Sequence, residues 1–273
     1  MRKAYARYLE LLGIGGRPRG LDGLRNLVRR HLQAVPFENI GKLLLIAREG
    51  RGRVSTLEEF LDGIEILHLG GTCYTANPFF AALLRELDYD ADVLGADMSA
   101  ANVHTALRVH MDGRDYHVDV GFAAPFRDPL CLDDLPAVVA EGARRYEFAR
   151  ERGGGVRVRS FGGDGQEGVG YTAHLPPRAR EFFDPIVADS FRPQSTFLNC
   201  LRISRVFADY TLDLHDRTLI RHEGGQSVAR ELGSMEELRA VVREQFGMRR
   251  APLDTAVAAL ERNTGRPLFA EGA

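Results

Sequence analysis

Over the first ninety positions, apolar residues recur at three- and four-residue intervals, the spacing that lines up side chains on one stripe of an α-helix. Leu24, Leu27, Val28, His31 and Leu32 form the clearest stripe, and Pro36 closes it. Thr56-Leu57-Glu58-Glu59 has the form of a capping box, in which a hydroxyl and a carboxylate satisfy free backbone N–H groups at a helix start. Leu57, Phe60, Leu61 and Ile64 supply the apolar face behind it. After Gly70-Gly71 a third helical stretch runs to about Leu87. Pro78 lacks an N–H and is comfortable only in a helix's first turn, so the regular helix is expected to begin near Asn77.

From about Asp90 the period changes to two. Val103, Thr105, Leu107, Val109 and Met111 alternate with Asn102, His104, Ala106, Arg108 and His110, the pattern of a half-buried strand. Asp112-Gly113 is a strong hairpin signal, and Tyr116, Val118 and Val120 alternate with Asp115, His117 and Asp119 on the return strand. Short strand-like segments with glycine-rich turns continue to about Phe183, which predicts an antiparallel sheet or small barrel for the middle third. The last third mixes strands around Arg202 to Leu219 with two helices. One is opened by Ser234-Met235-Glu236-Glu237, and the other runs from about Asp254 to Asn263.

Composition narrows the function. The chain of 273 residues carries 36 Lys and Arg against 38 Asp and Glu, so no basic footprint points to nucleic acid or an anionic membrane. The longest strongly apolar run, Leu43 to Ala47, is far short of a bilayer span, and Met1-Arg2-Lys3 is not followed by an apolar stretch. Cys73, Cys131 and Cys200 are odd in number and far apart, which suggests neither a disulfide framework nor a structural metal site. A cytoplasmic protein is expected. Lysine occurs only at positions 3 and 42, which leaves almost no candidate for Schiff-base chemistry or a phosphate-binding P-loop.

The hairpin carries the chemistry. If Asp112 and Gly113 form a two-residue turn, Met111 faces Arg114, Ala106 faces Asp119, and His104 becomes a diagonal neighbour of Asp119 on one face. A carboxylate at that position can fix the ring's tautomer and favour the imidazolium, leaving the other nitrogen to take a proton from a nucleophile. The nucleophile this predicts is Cys73, just before a helix whose N-terminal partial charge favours a thiolate. Cys131 and Cys200 have no assignable base and read as small buried residues. His110 with Asp115 is a rival facing pair, expected to be solvated beside the turn, and His117 shares the face of Asp119 as a supporting group. The residues alone give a Cys-His-Asp candidate and no substrate.

These motifs resemble the arylamine N-acetyltransferase family. His31-Leu-Gln-Ala-Val-Pro-Phe-Glu-Asn-Ile40 is similar to its N-terminal signature, and Gly70-Gly-Thr-Cys-Tyr-Thr-Ala-Asn77 to its catalytic-cysteine segment. Asn102-Val-His104 is similar to the segment carrying its histidine, Asp119-Val-Gly-Phe122 to its aspartate segment, and the stretch from Phe197 to Arg205 falls where that family enters its third domain. The resemblance covers nearly the whole chain. It implies an α+β fold in three parts: a helical bundle over residues 1–89 carrying the nucleophile, a β-barrel over 90–190 carrying the His and Asp, and an α/β lid over 191–273. It further implies that an acyl group passes from coenzyme A to Cys73 and then to an amine, with Cys73, His104 and Asp119 as triad. Acetyl-coenzyme A or another acyl thioester is then a co-substrate, with no metal and no tightly bound cofactor.

The chain departs from the family at defined positions. Leu69 stands where the family usually has Arg, and Thr75 where it has Glu. Loss of one partner of a buried ion pair costs several kcal/mol, whereas replacement of both can be nearly neutral, so the two changes form one coherent substitution. Pro78 replaces a plain helix former, and Ala123 a residue that is often Gly. A less polar pocket rim is expected, with bulkier or carrier-bound acyl groups preferred to acetyl. The leading reading is a ping-pong acyltransferase acting on an arylamine, hydrazine or related amine. The alternatives are a macrolactam-forming amide synthase served by an acyl carrier protein, a cysteine hydrolase or transglutaminase-like enzyme, and a binding module that retains the fold.

Overall fold

A computed structural model describes residues 1–269. Among these, the helices are α1 Lys3–Leu11, α2 Gly20–Ala34, α3 Ile40–Glu49, α4 Leu57–Leu67, α5 Cys73–Glu86, α6 Asp184–Asp189, α7 Met235–Ala240 and α8 Leu253–Thr264. The strands are β1 Phe37–Glu38, β2 Asp90–Asp97, β3 His104–Met111, β4 Arg114–Val118, β5 Leu130–Cys131, β6 Ala137–Glu141 and β7 Arg144–Arg150. They continue with β8 Val156–Phe161, β9 Tyr171–Pro177, β10 Arg202–Val206, β11 Tyr210–His215, β12 Thr218–Glu223 and β13 Gln226–Glu231. The predicted stripe of α2 is buried, and the capping box of α4 forms in both directions, Glu59 N to Thr56 Oγ1 at 3.2 Å and Thr56 N to Glu59 Oε2 at 2.7 Å.

Helix α5 corrects one expectation. It starts at Cys73, not near Asn77, and holds Pro78 in its interior. Five residues precede the ring in α5, and the proline removes a single bond, the one a residue at 78 would make to the Tyr74 carbonyl.

The middle third is an antiparallel sheet of eight strands in the order β5-β4-β3-β2-β9-β8-β7-β6. Its two outermost strands are consecutive in the chain, separated only by residues 132–136, so the sheet curls into a near-barrel. The β3–β4 register runs from Met111 opposite Arg114 to Leu107 opposite Val118, as the two-residue turn requires. Asp112 and Gly113 have φ of 52° and 74°, the left-handed pair of a type I′ turn. Strand β3 is not half-buried as its alternation implied. Leu107 and Val109 face α5 and share one core with α1, α2 and α4, while Ala106 on the other face belongs to the barrel interior with Phe126, Tyr146, Phe148 and Tyr171.

A second sheet, β1-β10-β11-β12-β13, packs with α3, α7 and α8. Phe37 and Glu38 pair with Ser204 and Ile203, which fastens the segment 31–40 to the segment 197–205. Ile40, Leu43, Leu44 and Leu69 share this core with Leu201, Phe246 and Leu260, so the first ninety residues feed two cores. No helix among the described residues is long and apolar enough to cross a membrane.

Candidate active site

Cys73 is the first residue of α5, His104 the first of β3, and Asp119 the residue that follows β4. His104 Nε2 lies 2.8 Å from Asp119 Oδ2, and both side chains are buried, at 2% exposure each. The diagonal placement derived from the hairpin therefore holds. The device that closes it is one the register did not supply. Asn77, one helical turn after Cys73, inserts its amide between β3 and the chain leaving β4. Its Nδ2 donates to Thr105 O at 2.5 Å and to Asp119 Oδ1 at 2.9 Å, and its Oδ1 accepts from Val120 N at 3.0 Å. These bonds stand where further ladder bonds would be, so the strand pairing ends at Val118 and the carboxylate turns toward His104.

The same contacts fix the helix start. Thr105 Oγ1 donates to Cys73 O at 2.8 Å, and Gly121 N donates to Asp119 Oδ1 at 2.8 Å. A Cβ on Gly121 would lie 2.7 Å from Cys73 Cα and 2.8 Å from Asn77 Nδ2, so only glycine lets the segment 119–121 approach the helix this closely. Burial alone would lower His104, but the charges of Asp119 and Cys73 and the hydrogen bonds to both outweigh it and push the imidazole up to about 10. Burial acts to raise Asp119, and the charge of His104, its hydrogen bond and that of Asn77 more than reverse this. With Nε2 engaged by the carboxylate, Nδ1 is the ring atom left for Cys73.

Aromatic rings wall the imidazole. Tyr171 and Phe122 lie 4.7 Å and 5.4 Å from it between centroids, and Phe126 stacks behind Phe122. His117 is brought near as a buried neighbour, with Nε2 2.8 Å from the Tyr171 hydroxyl; burial lowers it to about 4, so it stays neutral. His110 and Asp115 do pair, at 2.8 Å, but at an exposed site beside the turn. Cys131 and Cys200 take no part, and burial pushes the Cys200 thiol up to about 11.

The departures at 69 and 75 separate. Leu69 is not at the rim, because its apolar side chain turns into the core with Ile40 and Leu201. Thr75 does line a cleft, with its neighbours Thr72 and Tyr74, and its hydroxyl is turned to Thr72 O at 3.0 Å. Glu38 in the same cleft has no Arg partner among the described residues. It is 1% exposed, accepts from Gly41 N at 2.8 Å and Gly70 N at 3.2 Å, and burial pushes it up to about 7. Ala123 has a φ of 59°, a left-handed conformation that glycine adopts with no Cβ to crowd the backbone, which gives that departure its physical meaning.

Residues 20–252 match the sequence model of a family described as N-acetyltransferase. The chain belongs to this N-acetyltransferase family. Among relatives, it is 28% identical over 255 residues to the proansamycin X synthase of Amycolatopsis mediterranei (strain S699), covering 86% of this chain and 94% of that protein. It is also 28% identical over 257 residues to the arylamine N-acetyltransferase of Mycolicibacterium smegmatis, covering 88% of this chain and 90% of the relative. The crystal structure of Nocardia farcinica arylamine N-acetyltransferase superposes with a TM-score of 0.80 at 29% identity, covering 96% of this chain and 95% of that one. The N-acetyltransferase membership agrees with the resemblance read from the four motifs, and the likeness of fold agrees with the expected α+β class.

Proposed function

We propose that the protein is an N-acyltransferase that moves an acyl group from a coenzyme A thioester onto an arylamine, hydrazine or related amine through an acyl-Cys73 intermediate. The observation that carries this reading is the buried His104–Asp119 hydrogen bond at 2.8 Å, with Cys73 on the first turn of α5 acting on the same ring by charge and hydrogen bond. His104 takes the thiol proton to become the imidazolium, and the Cys73 thiolate then forms a bond to the thioester carbonyl carbon. The bond from that carbon to the coenzyme A sulfur breaks, and the leaving thiolate takes the proton back from the ring. The amine nitrogen then attacks the acyl-cysteine, its proton passes through His104 to the Cys73 sulfur, and the amide leaves. Asp119, oriented by Asn77 and Gly121, keeps the ring's tautomer and stabilises its cationic form throughout. A macrolactam-forming amide synthase is the second reading, favoured by the likeness to proansamycin X synthase along 94% of that protein.

Intact-protein mass spectrometry tests both. Incubation with a panel of acyl thioesters should add one acyl group at Cys73, stable until an amine is supplied, and Cys73→Ala should take none. No adduct from any thioester, or an adduct that water removes as fast as an amine does, would overturn acyl transfer to nitrogen and leave the hydrolase.

A further inference from the structure

His117 is a buried imidazole that the acyl-transfer steps leave unused. It lies on β4 at 3% exposure, two positions before Asp119, the spacing that puts both side chains on one face. Its Nε2 meets the Tyr171 hydroxyl at 2.8 Å, and its Nδ1 is buried with no hydrogen-bond partner among the described residues. Strands β4 and β9 are separated in the sheet by β3 and β2, so this bond crosses the barrel interior. Tyr171 is itself 3% exposed, and its ring lies 4.7 Å from the His104 ring between centroids. A single side chain therefore stands between His117 and the base.

Burial keeps His117 neutral against the pull of Asp119, with His104 acting in the same sense as burial, so the ring carries one proton. With that proton on Nδ1, an N–H would be buried without an acceptor, and the Tyr171 hydrogen would be taken up by Nε2. With it on Nε2, the ring donates to the Tyr171 oxygen and the hydroxyl hydrogen turns to Asp119, on which that hydroxyl also acts. The second arrangement makes one more hydrogen bond, and that bond ends on a carboxylate, which assigns the tautomer. A tyrosine held by its oxygen cannot swing its ring, and an aromatic ring fixed at 4.7 Å attracts the imidazolium that forms when His104 takes the thiol proton. We propose that His117 is a positioning residue for the base, donating from Nε2 to the Tyr171 oxygen and so holding the Tyr171 ring against His104. The proposal rests on the acyl-transfer reading and extends it beyond the three residues that carry the proton.

Alkylation of Cys73 by iodoacetamide, followed by peptide mass spectrometry, reads the base without an acyl donor. An unassisted thiol is already largely ionised at about pH 9, whereas at about pH 6 it depends on a neighbouring imidazolium. The readout is the rate at the lower pH divided by the rate at the higher, taken within each variant so that a change in folded fraction cancels. His117→Met removes the donor and should lower that quotient about fivefold, as loss of one hydrogen bond predicts. His117→Gln, whose amide N–H reaches as far as Nε2, should restore most of it. Tyr171→Phe should match His117→Met, and the double variant should fall no further than either, because His117 acts only through that oxygen. A quotient within about twofold of wild type in His117→Met overturns the assignment. So does a His117→Gln no better than His117→Met, or a double variant whose loss is the product of the two single losses. If no thioester acylates Cys73, the acyl-transfer reading fails by itself, and the alkylation quotient still decides on His117.

Discussion

Two buried Asp–His pairs lie in this molecule, and they serve different ends. His104 and Asp119 meet at 2.8 Å at the end of β3, and His222 Nε2 and Asp213 Oδ2 meet at 3.1 Å between β12 and β11. Both are equally hidden, at 2% exposure for each member of the first pair and 4% for each of the second, so burial does not tell them apart. Their other neighbours do. Besides the ring, the donors to Asp119 are neutral, Asn77 and Gly121 among them, and no second cation shares its charge with His104 among the described residues. Asp213 also receives Arg144 Nη1 at 2.6 Å; burial would raise it, but His222 and Arg144 bring it down to about 2. The second nitrogen of His222 meets Ser227 Oγ at 2.6 Å, and that hydroxyl already accepts from Ala143 N in the barrel. The second pair thus rivets the C-terminal sheet to β7, whereas the first leaves a nitrogen for a thiol at a helix start. An Asp–His bond is only half of a base; what the remaining nitrogen faces decides its use.

Exchanging the carboxylates for amides should separate the two roles by the largest margin. Asp119→Asn offers an N–H to the ring and holds the wrong tautomer, so acyl transfer should fall by roughly a thousandfold or more with the fold retained. Asp213→Asn takes from the Arg144 guanidinium its hydrogen-bonded carboxylate, leaving Glu141 at 3.8 Å, and should cost about 3 kcal/mol in denaturant unfolding while acyl transfer by the folded protein changes little. Equal losses of transfer in both variants at unchanged stability would erase the distinction.

The parts legible in the sequence were those set by neighbours close in the chain. Asp112-Gly113 dictates its own turn, the turn dictates the register, and the register brings His104 to Asp119 across fifteen positions. The stripe of α2 and the box before α4 are equally local. What was missed depends on distant segments. Tyr171 reaches the imidazole from β9, and Asn77 acts through Thr105 and Val120. The two-residue strand β1 exists only because β10 lies beside it, and no periodicity can mark so short an element. Asn77 was at hand in the cysteine segment, and its spacing of four from Cys73 was the signal that it shares the helix face. The placement of Leu69 was misjudged because adjacency in sequence to Gly70 says nothing about which way its side chain turns.

A smaller and more direct contrast is the titration of the ring. His104 holds its proton more tightly in the folded chain than at its ordinary value of 6.5, so its contribution to stability is complete below about pH 6.5 and is lost as the pH rises through about 10. Imidazole nitrogen resonances should show His104 still protonated well above neutrality. In Asp119→Asn the largest raising influence is gone and burial should take the ring below 6.5. A wild-type His104 that titrates near its ordinary value would remove the ion pair from the argument.

The smallest expected effect concerns the cleft lined by Thr72, Tyr74 and Thr75, the residues that flank Cys73 in the chain. Thr75 replaces the family's usual Glu there and Leu69 has withdrawn into the core, so the segment around Cys73 has lost both charges of that pair. A longer neutral acyl chain then gains by burying methylenes, each contributing about 0.8 kcal/mol, or roughly fourfold in kcat/KM while the chain still fits. Acetyl, propionyl and butyryl thioesters should therefore rise in that order with a common hydrazine or aniline acceptor. Asp213→Asn should reproduce the wild-type order, because its pair lies at the joint between the barrel and the C-terminal sheet. Thr75→Glu should flatten the series by placing an ionisable group against the chain. A strong preference for acetyl in the wild type would defeat this expectation, return the protein to the ordinary acetyltransferase pattern, and leave Leu69 and Thr75 as changes of packing alone.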